Sequence, residues 1–282
     1  MPTLPFHQVD VFSAVPFKGN PLAVIAGADG LDDATMQRIA NWTNLSETTF
    51  LLQPREPGAD YRVRIFTPQR ELPFAGHPTL GSCHVWLALG GTPKDEHVVQ
   101  ECGAGLVRIK RDGTKQNARL AFAAPPQRRS GEVEPELKAR IAQALGVTED
   151  SFRASQWVDN GPGWVAVLMG SRSEVLNLRF DPAALRNQPL GVVAPWDPAV
   201  DGKDVDFEIR GFMWGGGEDP VTGSLNASLA QWLIGAGIAP RQYVAAQGTA
   251  LGRAGRVHVT QDSDTIWIGG DVTTCVKGTI SV

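Results

Sequence analysis

Among the titratable side chains of this 282-residue chain, three stand in settings that suit moving a proton or holding a polar ligand: Glu47, His77 and Asp219. His77 opens the run His-Pro-Thr-Leu-Gly-Ser and Asp219 opens Asp-Pro-Val-Thr-Gly-Ser, a shared X-Pro-x-x-Gly-Ser frame. Each run leads into an apolar stretch with helical spacing. A helix start offers unpaired N–H groups and the positive end of the macrodipole, and glycine allows close approach. A carboxylate can dock on such a surface. The candidates are Gly76 and His77 at the first loop, and Asp219, Gly223 and Ser224 at the second. The plainer alternative is capping of the helices by Thr79, Asp219 or Ser224.

His77 has a near-neutral reference pKa, so it can donate or accept a proton, or simply bond at a helix start. Asp219 can hold a hydroxyl or amine of a ligand, or cap its helix. Glu47 lies in Asn44-Leu45-Ser46-Glu47-Thr48, between an amphipathic stretch and a buried apolar one. A carboxylate at a core edge suits general acid–base work. The spacing Asn44-x-x-Glu47 also fits a capping box, which would make Glu47 structural.

These residues need elements to carry them. Alternation predicts a strand at Gln8–Phe12, an apolar run after a turn predicts a second at Leu22–Ile25, and Thr48–Leu52 and Tyr61–Phe66 read as strands too. Helices are expected from Asp32–Asp33 through Ala40 and over Thr79–Leu89, the second ended by Gly90-Gly91. Leu106–Lys110 and Arg119–Phe122 read as further strands. After the proline-rich stretch Ala124–Glu136, Pro135 begins a helix with Leu137, Ile141 and Leu145 on one face and Gly146 as its stop. Phe207–Phe212, a helix Leu225–Ile234, Val257–Thr260 and Ile266–Ile268 repeat the first-half order at an offset of about 142 to 147. Two similar domains are therefore expected, at residues 1–125 and 126–282, with the final strand able to cross back.

Composition excludes several classes. The formal charge of −4 gives no electrostatic reason for nucleic acid or an anionic membrane surface as partner. No apolar run approaches the roughly 20 residues of a membrane-spanning helix. The N-terminus lacks a basic segment before an apolar core, and three cysteines form neither a disulfide framework nor a CxxC pair, so a reducing cytoplasm is expected. The loop Glu101-Cys102-Gly103-Ala104-Gly105 precedes a strand, unlike a reactive-cysteine helix start. Gly248–Gly255 lacks the strand–turn–helix setting of a dinucleotide site. His77 and His84, seven apart without further ligands, make a poor metal site.

Taken in order, several blocks resemble the phenazine-biosynthesis protein F family of isomerases, which share the diaminopimelate epimerase fold. The blocks are Val9-Asp10-Val11-Phe12, the run from Pro16 to Val24, Asn44-Leu45-Ser46-Glu47-Thr48, and Phe66-Thr67-Pro68. The run from Glu71 to Thr79, Glu218-Asp219-Pro220 with Thr222-Gly223-Ser224, and Gln247-Gly248 complete the set. The resemblance implies an α+β fold of two pseudo-symmetric domains, each a curved, mostly antiparallel sheet wrapped around a central helix. It implies a site in the cleft between them and no cofactor. It implies Glu47 as the proton shuttle, with Gly76, His77, Asp219, Gly223 and Ser224 contacting a small carboxylate substrate, and it makes a homodimer plausible. Related epimerases use two opposed cysteines, and neither loop here carries one at that position. A thiol-dependent epimerase using Cys83 or Cys102, and a ligand-binding protein without turnover, are the rival readings.

Overall fold

A computed structural model of the chain describes residues 2–112 and 118–282. The chain divides into two compact units, residues 1–123 with 269–282, and residues 124–268. The final segment thus belongs to the first unit, whereas a sequence boundary at 125/126 assigns it to the second half with the option of crossing back.

In the first unit, strand β1 (Thr3–Val11) pairs antiparallel with β2 (Asn20–Ala26) on one side. On its other side lies the last strand of the chain, β18 (Val272–Ser281), also antiparallel. Helix α1 (Asp33–Thr43) then crosses over, so β3 (Thr48–Leu52) lies parallel to β2. Asp32 caps α1 by accepting from the Thr35 N–H at 2.7 Å. Met36, Ile39 and Ala40 bury its apolar stripe against Ile25, Phe50 and Phe66. Next come β4 (Tyr61–Phe66) and the short β5 (Glu71–Leu72), both antiparallel to their predecessors.

Helix α2 (Gly76–Ala88) follows, then β6 (Val98–Cys102), β7 (Gly105–Asp112) and β8 (Arg119–Ala123). Nine residues of α2, from Gly76 to Val85, are buried, and strands β1 to β4 with β6, β8 and β18 all contact it. A helix apolar on every side must be enclosed, and this one is the centre of its unit. Gly81 makes the enclosure tight: a Cβ there would stand 2.5 Å from Leu22 Cδ2 and 3.0 Å from Val11 Cγ2.

The second unit repeats this plan. Strand β9 (Arg129–Gly131) and helix α3 (Pro135–Leu145) lead to β10 (Ala154–Asp159). Pro135 stands in the first turn of α3, and Gly146 ends it in the left-handed conformation at φ 69°. Strand β11 (Val165–Leu168) pairs antiparallel with β10. Helix α4 (Arg172–Asn177) crosses to β12 (Leu190–Pro195), parallel to β11. Antiparallel β13 (Phe207–Phe212) and β14 (Glu218–Asp219) precede helix α5 (Gly223–Gly235). Then come β15 (Gln242–Gln247), β16 (Gly255–Asp262) and β17 (Thr265–Gly270). Like α2, α5 has 13 residues and is buried along most of its length. Here the clearance comes from the strands: a Cβ on Gly191 of β12 would stand 2.5 Å from Leu225 Cδ1.

The pairing registers fix which positions correspond. Phe66 pairs with Glu71 and Phe212 with Glu218, so β4–β5 and β13–β14 are equivalent hairpins. In each, an arginine two residues upstream holds that glutamate by two bonds: Arg64 to Glu71 at 2.8 and 2.6 Å, Arg210 to Glu218 at 3.0 and 2.7 Å. Helices α2 and α5 then begin at Gly76 and Gly223, 147 positions apart. The structural counterpart of Gly76-His77 is therefore Gly223-Ser224. The X-Pro-x-x-Gly-Ser phrases recur at an offset of 142, five residues out of step with the fold. Pro78 lies inside the first turn of α2, where its missing N–H costs nothing, while Pro220 lies before α5. No helix among the described residues is long and apolar enough to cross a membrane.

Candidate active site

In the first unit, Glu47 and His77 meet. Glu47 stands directly before β3, on the loop that leaves α1. Asn44 ends α1 in the left-handed conformation at φ 54°, its N–H bonded to the Ala40 carbonyl at 3.3 Å. The Asn44-x-x-Glu47 spacing is thus a helix exit followed by a strand, not a capping box, and Glu47 is released from that structural duty. Thr43 and Thr48 close the loop with a hydroxyl pair at 2.6 Å, which holds Glu47 at the strand entrance. His77, the second residue of α2, places Nε2 3.3 Å from Glu47 Oε2; the side chains are 6% and 15% exposed.

Burial drives the imidazole down to about 3, so His77 is neutral at ordinary pH despite the carboxylate beside it. The short distance therefore joins a carboxylate to a neutral ring and is not a charged salt bridge. Asn20, fully buried at the start of β2, brings Nδ2 to 3.4 Å from His77 Nδ1. With that amide donating, the ring hydrogen sits on Nε2, yet the approach of Nε2 to Glu47 Oε2 lacks hydrogen-bond geometry, so the pair is in contact without being bonded. Asn20 was not among the candidates chosen from chemistry and spacing. Its place in Gly19-Asn20-Pro21 reads as a turn, and the pairing with a residue 57 positions away is a tertiary fact.

The N-cap residue of α2 is Ala75, which has no side chain able to cap, and no N-cap side chain bonds into either central helix. Thr79 turns its hydroxyl back to the Ala75 carbonyl at 2.9 Å. The capping alternative for Thr79 thus gives way to another bond, and the N-cap residue of α5 is Thr222 and neither Asp219 nor Ser224. Gly76 is buried at the first turn, beside His77.

In the second unit, Asp219, Gly223 and Ser224 lie on the strand and helix that flank one turn. Asp219 Oδ2 accepts from the Thr222 hydroxyl at 2.6 Å. Ser224 Oγ accepts from the fully buried Trp164 indole at 3.1 Å, and its carbonyl accepts from Asn160 Nδ2 at 2.9 Å. An indole can only donate, so it occupies a lone pair of Ser224 and leaves the hydroxyl hydrogen to point elsewhere. Gln247, fully buried, bonds both Thr222 and the Asp219 carbonyl.

The thiols are placed badly for proton transfer. Cys83 is fully buried and its thiol is pushed up to about 12 by burial. Cys102, at the β6–β7 turn, is also raised, chiefly by burial. A thiolate at neutral pH is disfavoured at both positions, which counts against the thiol-dependent epimerase.

The phenazine biosynthesis-like protein family model matches residues 9–278, nearly the whole length. The chain belongs to this family. It is 36% identical to antisense-enhancing sequence 1 of Schizosaccharomyces pombe, aligned over 97% of each protein. It is 34% identical to the trans-2,3-dihydro-3-hydroxyanthranilate isomerase of Pseudomonas aeruginosa, over 89% of this chain and 87% of that one. A crystal structure of a phenazine biosynthesis protein PhzF family member from Enterococcus faecalis superposes with a TM-score of 0.81 at 26% identity, covering 100% of both chains. The family places the chain among isomerases. The α+β, two-unit, epimerase-like fold is shared with its solved relatives.

Proposed function

We propose that the protein isomerises a small carboxylate without a cofactor, with Glu47 as the acid–base that moves the proton. The observation that carries this reading is the Glu47–His77 pair: a partly buried carboxylate 3.3 Å from an imidazole that burial keeps neutral. The neutral ring borders the carboxylate without taking its proton, and Glu47 Oε2, which the ring does not bond, is left to accept a C–H proton. Glu47 would remove an acidic proton beside a double bond or carbonyl, exchange it with solvent, and as the conjugate acid return a proton at another carbon.

The N–H groups at Gly76, His77, Gly223 and Ser224 would hold the substrate carboxylate and oppose the charge that develops, while Asp219 would hold a hydroxyl or amine of the substrate. This requires the two clusters to face one cleft between the units, which is part of the proposal and follows the family's plan. The substrate of the Pseudomonas aeruginosa relative, trans-2,3-dihydro-3-hydroxyanthranilate, is the first compound to offer. A homodimer and a cytoplasmic setting belong to the same reading.

Solvent deuterium should enter the product at the carbon that receives the proton. Glu47→Gln should lower kcat by about 10²–10⁴-fold, the usual contribution of a positioned acid–base. Normal turnover by that variant, read by mass spectrometry of the product, would assign the proton to another group.

A further inference from the structure

We propose that Gln247 and Thr222 are positioning residues that aim the Asp219 carboxylate, through a hydrogen-bond relay whose direction a backbone N–H fixes. The inference rests on the reading of Asp219 as a substrate contact and extends it to two residues buried behind it.

The direction follows from donor and acceptor counting. The Thr222 backbone N–H can only donate, and it donates to Gln247 Oε1 at 3.0 Å. Asn226 Nδ2 donates to the same oxygen at 2.8 Å and to the Thr222 carbonyl at 2.9 Å. Turning the Gln247 amide over would set its NH₂ against both donors, so the orientation is determined. The Gln247 NH₂ must then face the other way. It donates to the Asp219 carbonyl at 3.1 Å and to Thr222 Oγ1 at 2.9 Å. With a lone pair of Oγ1 so occupied, the single Thr222 hydroxyl hydrogen goes to Asp219 Oδ2, at 2.6 Å. All four polar valences of a fully buried glutamine are used, and the chain of bonds ends on a half-buried carboxylate.

The first unit carries a related latch: at the 147-residue offset Thr79 corresponds to Asn226, and Ala75, which has no hydroxyl, to Thr222. Gln100 of β6 is 147 positions before Gln247 of β15 and equally buried. Its Oε1 accepts from the Tyr61 hydroxyl at 2.9 Å, and its Nε2 donates to Thr79 Oγ1 at 3.0 Å. Thr79 then passes its hydrogen to the Ala75 carbonyl, a backbone atom of the helix itself. In one unit the relay closes on the helix start; in the other it closes on a side chain of the candidate site. The common part fastens strand to helix, and the difference is what assigns positioning to the second copy.

Three variants test this: Thr222→Val, which keeps the shape and removes the hydroxyl, Thr222→Ser, which restores it, and Gln247→Glu. The last keeps the acceptor for the Thr222 N–H but replaces the donor that faces Oγ1. Crystal structures should show the Asp219 carboxylate turned from its wild-type rotamer in Thr222→Val and Gln247→Glu, and in place in Thr222→Ser. With trans-2,3-dihydro-3-hydroxyanthranilate as probe, kcat/KM for deuterium exchange should fall roughly ten- to a hundredfold in the first two, as expected for a slightly misplaced group. Most of the loss should lie in KM, and Thr222→Ser should recover it. An unmoved Asp219 in both relay-breaking variants overturns the proposal, as does full exchange activity in them. Absence of exchange by the wild type would instead count against the proposed substrate, and the crystallographic comparison would still decide the relay.

Discussion

His77 is the residue whose environment departs furthest from what its type suggests. A histidine chosen for a near-neutral pKa is held neutral by burial, down to about 3. The sign of its effect on stability follows. In the unfolded chain the ring takes up a proton below about pH 6.5, while in the folded protein it does so only near 3. Its contribution favours folding fully above pH 6.5 and is lost as the pH falls towards 3, at up to about 1.4 kcal/mol per pH unit. Urea unfolding midpoints of the wild type should therefore drop through this window more steeply than those of His77→Gln; parallel curves would refute the assignment. His77 is legible as a candidate from type and setting, whereas for Glu47 the spacing favours a capping box and the acid–base role comes from the family resemblance. Asn20 is not legible, because an asparagine in a turn looks the same whether it points to solvent or to a ring 57 residues away.

At the scale of elements, the candidate residues stand where elements begin or end: in the first unit Glu47 directly before β3 and Gly76 and His77 at the start of α2, in the second Asp219 at the end of β14. Each is set by a short connection with little freedom. The connection that sets Asn20, between β1 and β2, is tight: a Cβ on Gly19 would stand 2.3 Å from the Val11 carbonyl oxygen, and its N–H already bonds the buried Asp10 carboxylate at 2.8 Å. The obstruction is backbone, so it cannot swing aside. Gly19→Ala should cost about 1–3 kcal/mol in thermal or urea unfolding and displace Asn20, the next residue. A wild-type midpoint would show that the loop can yield. The register correspondence explains why Glu47 has no twin. If β3 is laid on β12 through their pairings with Phe66 and Phe212, the position before the strand is Pro189, which has no acid–base side chain.

For the whole molecule, the C-terminal strand decides which unit the chain ends in. Strand β18 runs antiparallel to β1 from Thr3↔Ser281 to Val11↔Val272, with a bulge between Gln8 and Val9. Ser13 and Arg119 also reach Asp271, at 3.1 and 3.4 Å. Removing residues 271–282 should therefore loosen the first unit specifically. Hydrogen exchange should report lost protection in β1 and β2 with α5 and β13 still protected; uniform loss would mean that the units unfold as one.

The sequence by itself determined the local things. Asp32 before an apolar stripe, Pro135 and Gly146 around another, and alternation at Tyr61–Phe66 and Phe207–Phe212 carry their reasons within a few residues of themselves. It also showed two halves in the same order. Tertiary structure alone decided how the halves correspond. The similar phrases at His77 and Asp219 invited an offset of 142, yet strand register and helix starts impose 147 at that point, because hydrogen-bonded pairing, and not resemblance of letters, fixes equivalent positions. The relay from Gln247 through Thr222 to Asp219, and the meeting of Glu47, His77 and Asn20, have the same origin. Each joins residues distant in sequence, and their polar groups find partners only after the strands have closed around the helix.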